Sequence, residues 1–320
     1  MRLKKCLKEF DMKEILVVAG PTAVGKTEYA LKLAQRLDGE IVSCDSMQLY
    51  KYMDIGSAKP TKEERALVKH YLVDEIDPRE PFSAAEYQKR AKAAIAEIHD
   101  KGKLPIISGG TGLYLNSLLY EMDFSAPPRR DGYREKLEQL AHEQGKEAVY
   151  RLLAEKDPDA AARIHPNNTK KIIRALEAVE TTGQGIPAFT QVRTPVSGYK
   201  PCLLGLTRDR QELYDRINAR VEILMKQGLL EEVKGLLGMG LSEDDISMKG
   251  IGYKELIYHL HGKYDLDTAV KKIQQNTRNY AKRQLTWFRR YDKIKWFELS
   301  MYESSEKALK DMILWVDKNK

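Results

Sequence analysis

The chain has 320 residues, 42% of them hydrophobic and 32% charged, which is enough apolar material for a core and argues against general disorder. It contains no run of about 18 apolar residues, so we expect no transmembrane helix, and its basic start lacks the apolar segment of a secretory signal. Three scattered cysteines, Cys6, Cys44 and Cys202, form no disulfide pattern and are typical of a reducing cytoplasm. The net charge is +7, and its distribution along the chain is more informative than its size.

The first hundred residues alternate short apolar runs with helical periodicity. Strands are predicted over 15–18, 40–44 and 104–108, and helices over 27–37 and from the capping box at Ser83 to about Lys101. A further helical run follows the glycine turn at 109–112. This alternation predicts an α/β fold, with a P-loop NTPase-like parallel sheet flanked by helices. In such sheets ligands bind beyond the carboxyl ends of the strands. Gly20, Asp45 and Gly109 follow three of these ends, so we expect them to converge.

A change of pattern near Asp123 predicts a helical insertion. Residues 131–144, 146–155 and 168–182 favour helices, the last with Asn168 as N-cap and Gly183 beyond its end. A loop over 183–200 precedes a strand over 202–206, and further helices are predicted over 210–227, 229–237, 253–260 and 266–290. We therefore divide the chain into a catalytic core of residues 1–124 and 202–320 and an insertion of residues 125–201.

A glycine-rich loop between the first strand and the first helix predicts phosphate binding. It fits the pattern G-x-x-x-x-G-K-[ST] and consists of Gly20, Pro21, Thr22, Ala23, Val24, Gly25, Lys26 and Thr27. Backbone N–H groups of such a loop surround phosphate oxygens, Lys26 adds a positive charge and Thr27 can ligate Mg²⁺. The motif does not identify the phosphate ester, and ATP, hence a kinase or an NTPase, is the default interpretation.

Asp45 is the best candidate for a catalytic carboxylate. It ends the second predicted strand, where an NTPase would carry a partner for Mg²⁺. However, it is followed by Ser46, Met47 and Gln48. Their hydrogen-bonding groups suit the reading of an organic substrate better than the support of a metal.

A basic stripe near the end of the chain suggests a polyanionic partner. Between Thr268 and Lys295 the only acid is Asp292, against nine basic residues: Lys271, Lys272, Arg278, Lys282, Arg283, Arg289, Arg290, Lys293 and Lys295. A solvated helix face is the alternative. The aromatic residues Trp287 and Phe288 within the stripe favour core positions over stacking on bases.

Taken together, these motifs resemble the tRNA dimethylallyltransferase family of the bacterial type. The resemblance covers nearly the whole chain. It is carried, in order, by the segments at 20–27, 45–50 (DSMQLY), 53–60 (MDIGSAKP), 109–114 (GGTGLY), 171–177 (KIIRALE), 252–255 (GYKE) and 280–287 (YAKRQLTW). The first segment is shared with many NTPases, whereas the others in this order are specific. The zinc-finger extension of eukaryotic members is absent before Lys320, so we expect no zinc.

The resemblance implies transfer of a dimethylallyl group from dimethylallyl diphosphate to an adenosine N6. That adenosine lies just 3′ of the anticodon in tRNAs that read codons beginning with U. The glycine-rich loop would then hold the diphosphate, with Mg²⁺. The resemblance also implies that Asp45 is the general base and that Arg220 contacts the diphosphate. Thr111 would bind the bridge oxygen or orient the base.

The resemblance further implies contacts with the anticodon stem-loop, because a flipped base requires a firmly held loop. Ser46, Met47 and Gln48 would read the adenine edge. The other candidate tRNA contacts are Arg134, Lys170, Lys171, Arg174, Arg278, Lys282 and Arg283. For Arg220 the alternative is a surface charge, and for Thr111 a simple turn residue. The sequence shows no sustained heptad and no exposed apolar stripe, so we expect a monomer. It leaves open whether Met1 or Met12 starts the native chain.

Two other functions remain open at this stage. A small-molecule or nucleotide kinase of the same fold, with the insertion as a lid, explains the phosphate loop but assigns no role to the basic stripe. A non-catalytic, RNA-binding GTPase-like switch would show nucleotide-dependent RNA affinity and form no product.

Overall fold

The computed structural model describes residues 12–122, 124, 132–183, 194–196 and 198–319. Met1, Cys6, the predicted helix start at Asp131 and most of the predicted loop over 183–200 lie outside these residues. The chain divides into two compact units, the first formed by Met1–Tyr120 and Pro195–Lys320 and the second by Glu121–Thr194. The sequence places the end of the insertion at 201, whereas the strand that follows it begins at Tyr199.

The first unit contains a parallel sheet in the order β3-β2-β4-β1-β5-β6. Its strands are β1 (Lys13–Ala19), β2 (Gly39–Ser43), β3 (His70–Tyr71), β4 (Leu104–Gly109), β5 (Tyr199–Thr207) and β6 (Lys295–Glu298). The predicted α/β fold is confirmed. The sequence does not predict β3 and β6, because runs of two and four residues are too short for a strand pattern.

Thirteen α-helices lie within the described residues. They are α1 (Lys26–Arg36), α2 (Lys62–Leu67), α3 (Ala84–Asp100), α4 (Gly112–Leu119), α5 (Tyr133–Glu143), α6 (Lys146–Lys156), α7 (Pro158–Arg163), α8 (Thr169–Thr182), α9 (Arg210–Lys226), α10 (Leu229–Gly238), α11 (Tyr253–Leu260), α12 (Leu266–Phe288) and α13 (Ser305–Asn319). Nine of them match predicted helices within two residues at each end, where the end is described, and α4 lies in the helical run predicted after Gly112, for which the sequence gives no end. The sequence analysis misses α2, α7 and α13. Of these, α13 buries residues at helical spacing and was recognisable.

The apolar run of the central strand β1 is continuous because both of its faces are buried. Ile15, Val17 and Ala19 belong to one buried cluster, and Leu16 and Val18 belong to another. Successive side chains of a strand point to opposite faces, so both faces of the sheet are covered. That burial leaves the carboxyl ends of the strands as the accessible edge for a ligand.

The second unit has its own small core. It is formed by apolar residues of its helices, including Leu137, Val149, Leu153 and Ile172. The predicted caps of α8 are confirmed: the Asn168 side chain accepts a hydrogen bond from Lys171 N–H, and Gly183 lies at φ +68°. Across the part of the chain that the structure describes, no helix combines the length and apolar character needed to cross a membrane.

Candidate active site

The ends of three neighbouring strands bring the predicted site residues together. β4 lies between β2 and β1, with Ser43 paired to Ser108 and Ala19 to Gly109. A Cβ on Gly109 would lie 2.1 Å from the carbonyl oxygen of Cys44, so only glycine allows this close approach. The predicted convergence of these strand ends is confirmed.

The phosphate loop is held by side chains that occupy its carbonyl groups. Lys26 Nζ donates to the Pro21 carbonyl at 2.7 Å. Arg216 Nε donates to the carbonyl of Ala23 and Arg208 Nε to that of Val24, both at 3.0 Å. With these carbonyls engaged, the amides at the start of α1 remain as anion donors, because the first N–H groups of a helix have no intrahelical partner.

Gly25 is one residue of this loop whose backbone requires glycine. Its φ of +112° lies where side chains are strained, and it immediately precedes α1. Ala23 also has a positive φ, +62°. Alternation of such residues with ordinary ones curves the backbone into a concave surface, as phosphate binding requires.

Three charged side chains influence one another beside this loop. Burial lowers the pKa of Lys26 to about 8; the Asp45 carboxylate opposes this shift and the Arg220 guanidinium adds to it. Burial likewise lowers the pKa of Arg220, and Asp45 again opposes the shift. Lys26, Asp45 and Arg220, predicted from distant parts of the sequence, therefore lie at one site. Two cations close enough to act on one carboxylate suit a site where a diphosphate leaves while a base removes a proton.

Asp45 is oriented by its own turn. Its Oδ1 accepts a hydrogen bond from Met47 N–H at 2.9 Å. Within the described residues, Oδ2 makes no hydrogen bond that would withhold it from a substrate. Thr111 Oγ1 accepts from Ser46 N–H at 3.0 Å, and Thr111 N–H donates to the Cys44 carbonyl at the same distance. Thr111 therefore fixes the turn that carries the carboxylate.

Tyr280 on α12 also belongs to this site. Burial raises the pKa of its phenol to about 12, the Asp45 charge adds to the shift, and a hydrogen bond with Thr111 opposes it. Burial raises the pKa of the adjacent Cys44 thiol to about 12 as well. Both groups are therefore protonated at neutral pH, and neither acts as a base there.

Gln48 links two of the recognised segments. Its Oε1 accepts from Ser43 Oγ at 2.9 Å, and its Nε2 donates to the Ala58 carbonyl at 3.3 Å. The segment around Ala58 is itself clamped, because the Glu232 carboxylate accepts hydrogen bonds from three consecutive N–H groups, of residues 54–56. A Cβ on Gly56 would lie 2.5 Å from the Tyr253 ring. The reading of adenine by Ser46, Met47 and Gln48 stays a prediction.

The basic residues of α12 differ in their surroundings. Arg278 donates to Asn218 Oδ1 at 2.5 Å, whereas Lys282 and Arg283 are exposed. Phe288 is 1% exposed and belongs to the core, as predicted. Trp287 is partly buried against the same core.

In the second unit, α8 presents exposed cations. Lys170, Lys171 and Arg174 are all exposed, and none of them has an ion pair among the described residues. Arg134 differs, because its Nε and one terminal nitrogen bind the two oxygens of Glu177, at 2.9 and 2.6 Å. This ion pair holds α5 against α8. The assignment of all four residues to tRNA stays a prediction.

Sequence reasoning missed some of the residues that shape the site. Arg208 lies directly beyond the end of β5, so the strand-end rule that found Asp45 could have found it. The sequence identifies Tyr280 and Gln284 only as parts of one motif. Both point to glycine turns far away in sequence, for which no local signal exists.

The residues present fit a magnesium ion that substrate phosphates help to hold. In the described ranges no group of three His, Cys, Asp or Glu side chains could hold a metal by itself. Thr27 places a hydroxyl at the N-terminus of α1. Mg²⁺ is commonly bound by one or two protein oxygens together with phosphates and water, so this sparse donor set agrees with it.

Comparison with known proteins gives a consistent result. Residues 48–291 match the family model described as IPP transferase. The chain is 53% identical over 294 residues to the tRNA dimethylallyltransferase of Alkaliphilus oremlandii (strain OhILAs), covering 92% of this chain and 94% of that protein. A crystal structure of the tRNA isopentenylpyrophosphate transferase from Bacillus halodurans is similar with 41% identity and a TM-score of 0.72, covering 95% of this chain and 96% of that one. A eukaryotic dimethylallyltransferase acting on tRNA is similar with 27% identity and a TM-score of 0.79, covering 96% and 80%.

Proposed function

Because the chain belongs to the IPP transferase family, we propose that it transfers a dimethylallyl group from dimethylallyl diphosphate to tRNA. The acceptor is N6 of the adenosine 3′-adjacent to the anticodon in tRNAs that read codons beginning with U. The products are the N6-dimethylallyl nucleoside and diphosphate. The observation that carries the proposal is the meeting of Asp45, Lys26 and Arg220 beside the phosphate loop.

The donor half of the site stabilises the leaving group. Diphosphate gains negative charge as its bond to the prenyl carbon breaks, and fixed donors aimed at that charge lower the barrier. The loop amides, Lys26 and Arg220 supply these donors. Mg²⁺, when bound, would neutralise further charge on the diphosphate, and the Thr27 hydroxyl would help to hold it.

The acceptor half removes a proton. Adenine N6 is a weak nucleophile because its lone pair is delocalised into the ring, so a base must take its proton as the new bond forms. Asp45 Oδ2 is the proposed base, with Oδ1 held by Met47 N–H. Thr111 keeps the turn in place, and its hydroxyl lies between this turn and Tyr280.

The acceptor is bound by basic residues of both units. We assign the contacts with the anticodon stem-loop to Lys170, Lys171 and Arg174 in one unit and to Lys282 and Arg283 in the other. Arg134 and Arg278 are included with them, although each already has a protein partner. We expect the enzyme to act as a cytoplasmic monomer.

The direct test of the reaction uses two labelled donors. Protein, Mg²⁺ and unmodified tRNA are incubated with radiolabelled dimethylallyl diphosphate or with γ-labelled ATP. Label from the prenyl donor should enter tRNA, and nucleoside analysis should place it on the adenosine beside the anticodon. Label from ATP in a small product would instead support the kinase, which the named relatives do not favour.

Donor affinity should decrease as pH rises through about 8. Lys26 has its pKa lowered to about 8, so it is charged below that pH and neutral above it. The donor phosphate, with a second pKa of about 6, is already fully ionised there. Calorimetry with the unreactive analogue dimethylallyl thiodiphosphate should therefore show weaker binding at alkaline pH. Lys26→Met should bind weakly at every pH, and an unchanged wild-type affinity well above pH 8 would contradict the assignment.

The double variant Lys170→Ala, Lys171→Ala should bind tRNA more weakly and with less dependence on salt. Each phosphate contact contributes roughly 0.7–0.9 to the slope of log affinity against log salt, so losing two should reduce that slope by about 1.5. Affinity is measured at several salt concentrations. Lys136→Ala, Lys146→Ala removes two exposed lysines of the same unit and is the matched control. Equal slopes for both variants would remove Lys170 and Lys171 from the interface.

A further inference from the structure

Gln284 is a buried polar residue that the proposed chemistry does not use. It lies on α12 and is only 5% exposed. Its Oε1 accepts from Thr22 N–H at 2.8 Å, and its Nε2 donates to the Gly110 carbonyl at 3.0 Å. One side chain thus joins the phosphate loop to the glycine turn after β4. An amide supplies an acceptor and a donor at its two ends at neutral pH, as these two contacts require.

The glycine turn is shaped to admit this side chain. A Cβ on Gly110 would lie 2.1 Å from Gln284 Nε2, and a Cβ on Gly112 would lie 2.3 Å from the Trp287 ring. Tyr280, Gln284 and Trp287 are spaced by four and three residues, so they share one face of α12. This packing gives a physical reason for the two glycines on either side of Thr111.

The bond to Thr22 also affects the phosphate loop. It turns the Thr22 N–H toward Gln284, while Arg208 and Arg216 occupy the carbonyls of Val24 and Ala23. The loop conformation is therefore set by protein contacts before any donor binds. Such preorganisation matters, because misplacing a reacting group by about 1 Å can cost roughly 10²-fold in rate.

We propose that Gln284 is a positioning residue, which holds the phosphate loop in register with the turn at Gly110 and Thr111. That turn fixes Ser46, and with it Asp45, through the hydrogen bond to Thr111 Oγ1. Gln284 thereby sets the leaving diphosphate opposite the base. The inference rests on the proposed function and adds a residue to it.

The first test is Gln284→Met, which keeps the shape and removes both hydrogen bonds. The rate constant of a single turnover at saturating donor and tRNA should decrease at least about tenfold. Affinity for dimethylallyl thiodiphosphate should also decrease, while tRNA affinity is unchanged. Gln274→Met is the matched control, since Gln274 lies on the same helix and contacts Asn218 instead. A Gln284→Met rate and analogue affinity equal to those of the control would overturn the inference.

The second test is Gln284→Glu, which separates positioning from folding. A protonated carboxyl can accept from Thr22 and donate to Gly110 as the amide does, whereas a carboxylate cannot donate. Burial raises the pKa of such a group, so the ratio of variant to wild-type rate should increase as pH is lowered from about 8 to about 6. A ratio that does not change with pH would contradict the inference. If the wild type transfers no prenyl group, the proposed function fails, and the analogue affinities still decide the role of Gln284.

Discussion

Asp45→Asn should lower the rate of prenyl transfer roughly 10²–10⁴-fold, the usual contribution of a general base. Asparagine keeps the size of the side chain and an oxygen that can accept from Met47 N–H, as Oδ1 does at 2.9 Å. It cannot take the proton of N6. The loss should therefore appear in the chemical step, with tRNA affinity unchanged. Single-turnover kinetics with enzyme in excess, together with a tRNA-binding assay, measure the two quantities separately.

The matched control for this variant is Asp244→Asn. Asp244 belongs to an exposed turn, where its backbone N–H donates to Ser242. The Asp244→Asn variant should transfer the prenyl group at the wild-type rate. A rate for Asp45→Asn close to that of Asp244→Asn would show that another group removes the proton.

Arg220→Gln should lower the transfer rate about 10²–10³-fold, as loss of a donor aimed at developing charge does elsewhere. Burial lowers the pKa of Arg220, and the Asp45 carboxylate opposes this shift. The cation therefore lies in a partly desolvated site, where its electrostatic effect on the diphosphate is strong. Affinity for the thiodiphosphate analogue should fall less than the rate, because the leaving group gains charge only in the transition state. Single-turnover rates and calorimetry give this comparison.

Arg210→Gln tests whether the effect is specific. Arg210 starts the same helix α9, is exposed and packs over the Tyr214 ring. Its loss should leave transfer unchanged. Equal losses in the two variants would indicate a general effect of charge on tRNA binding, and Arg220 would then have no special role at the diphosphate.

The sequence by itself determined the features that depend on near neighbours. A phosphate loop needs only the order strand, glycine-rich turn and helix, all within 13–36, and the apolar run of β1 shows burial on both faces. The caps of α8 are likewise local. Even the convergence of Gly20, Asp45 and Gly109 follows from one general rule, that parallel strands end at the same edge of a sheet.

Only the tertiary structure decided which side chains complete the site. Gln284 reaches Thr22 across 262 residues of chain, and Arg208 reaches Val24 across 184. Such contacts depend on how α12 packs against the sheet and on where the chain runs after β5. Helix periodicity states which face is buried without stating which residues that face contacts. The same holds for Arg134, which reads as a free cation in the sequence and is bound to Glu177 in the fold. Periodicity acts over a few residues, whereas packing joins residues that the chain keeps far apart.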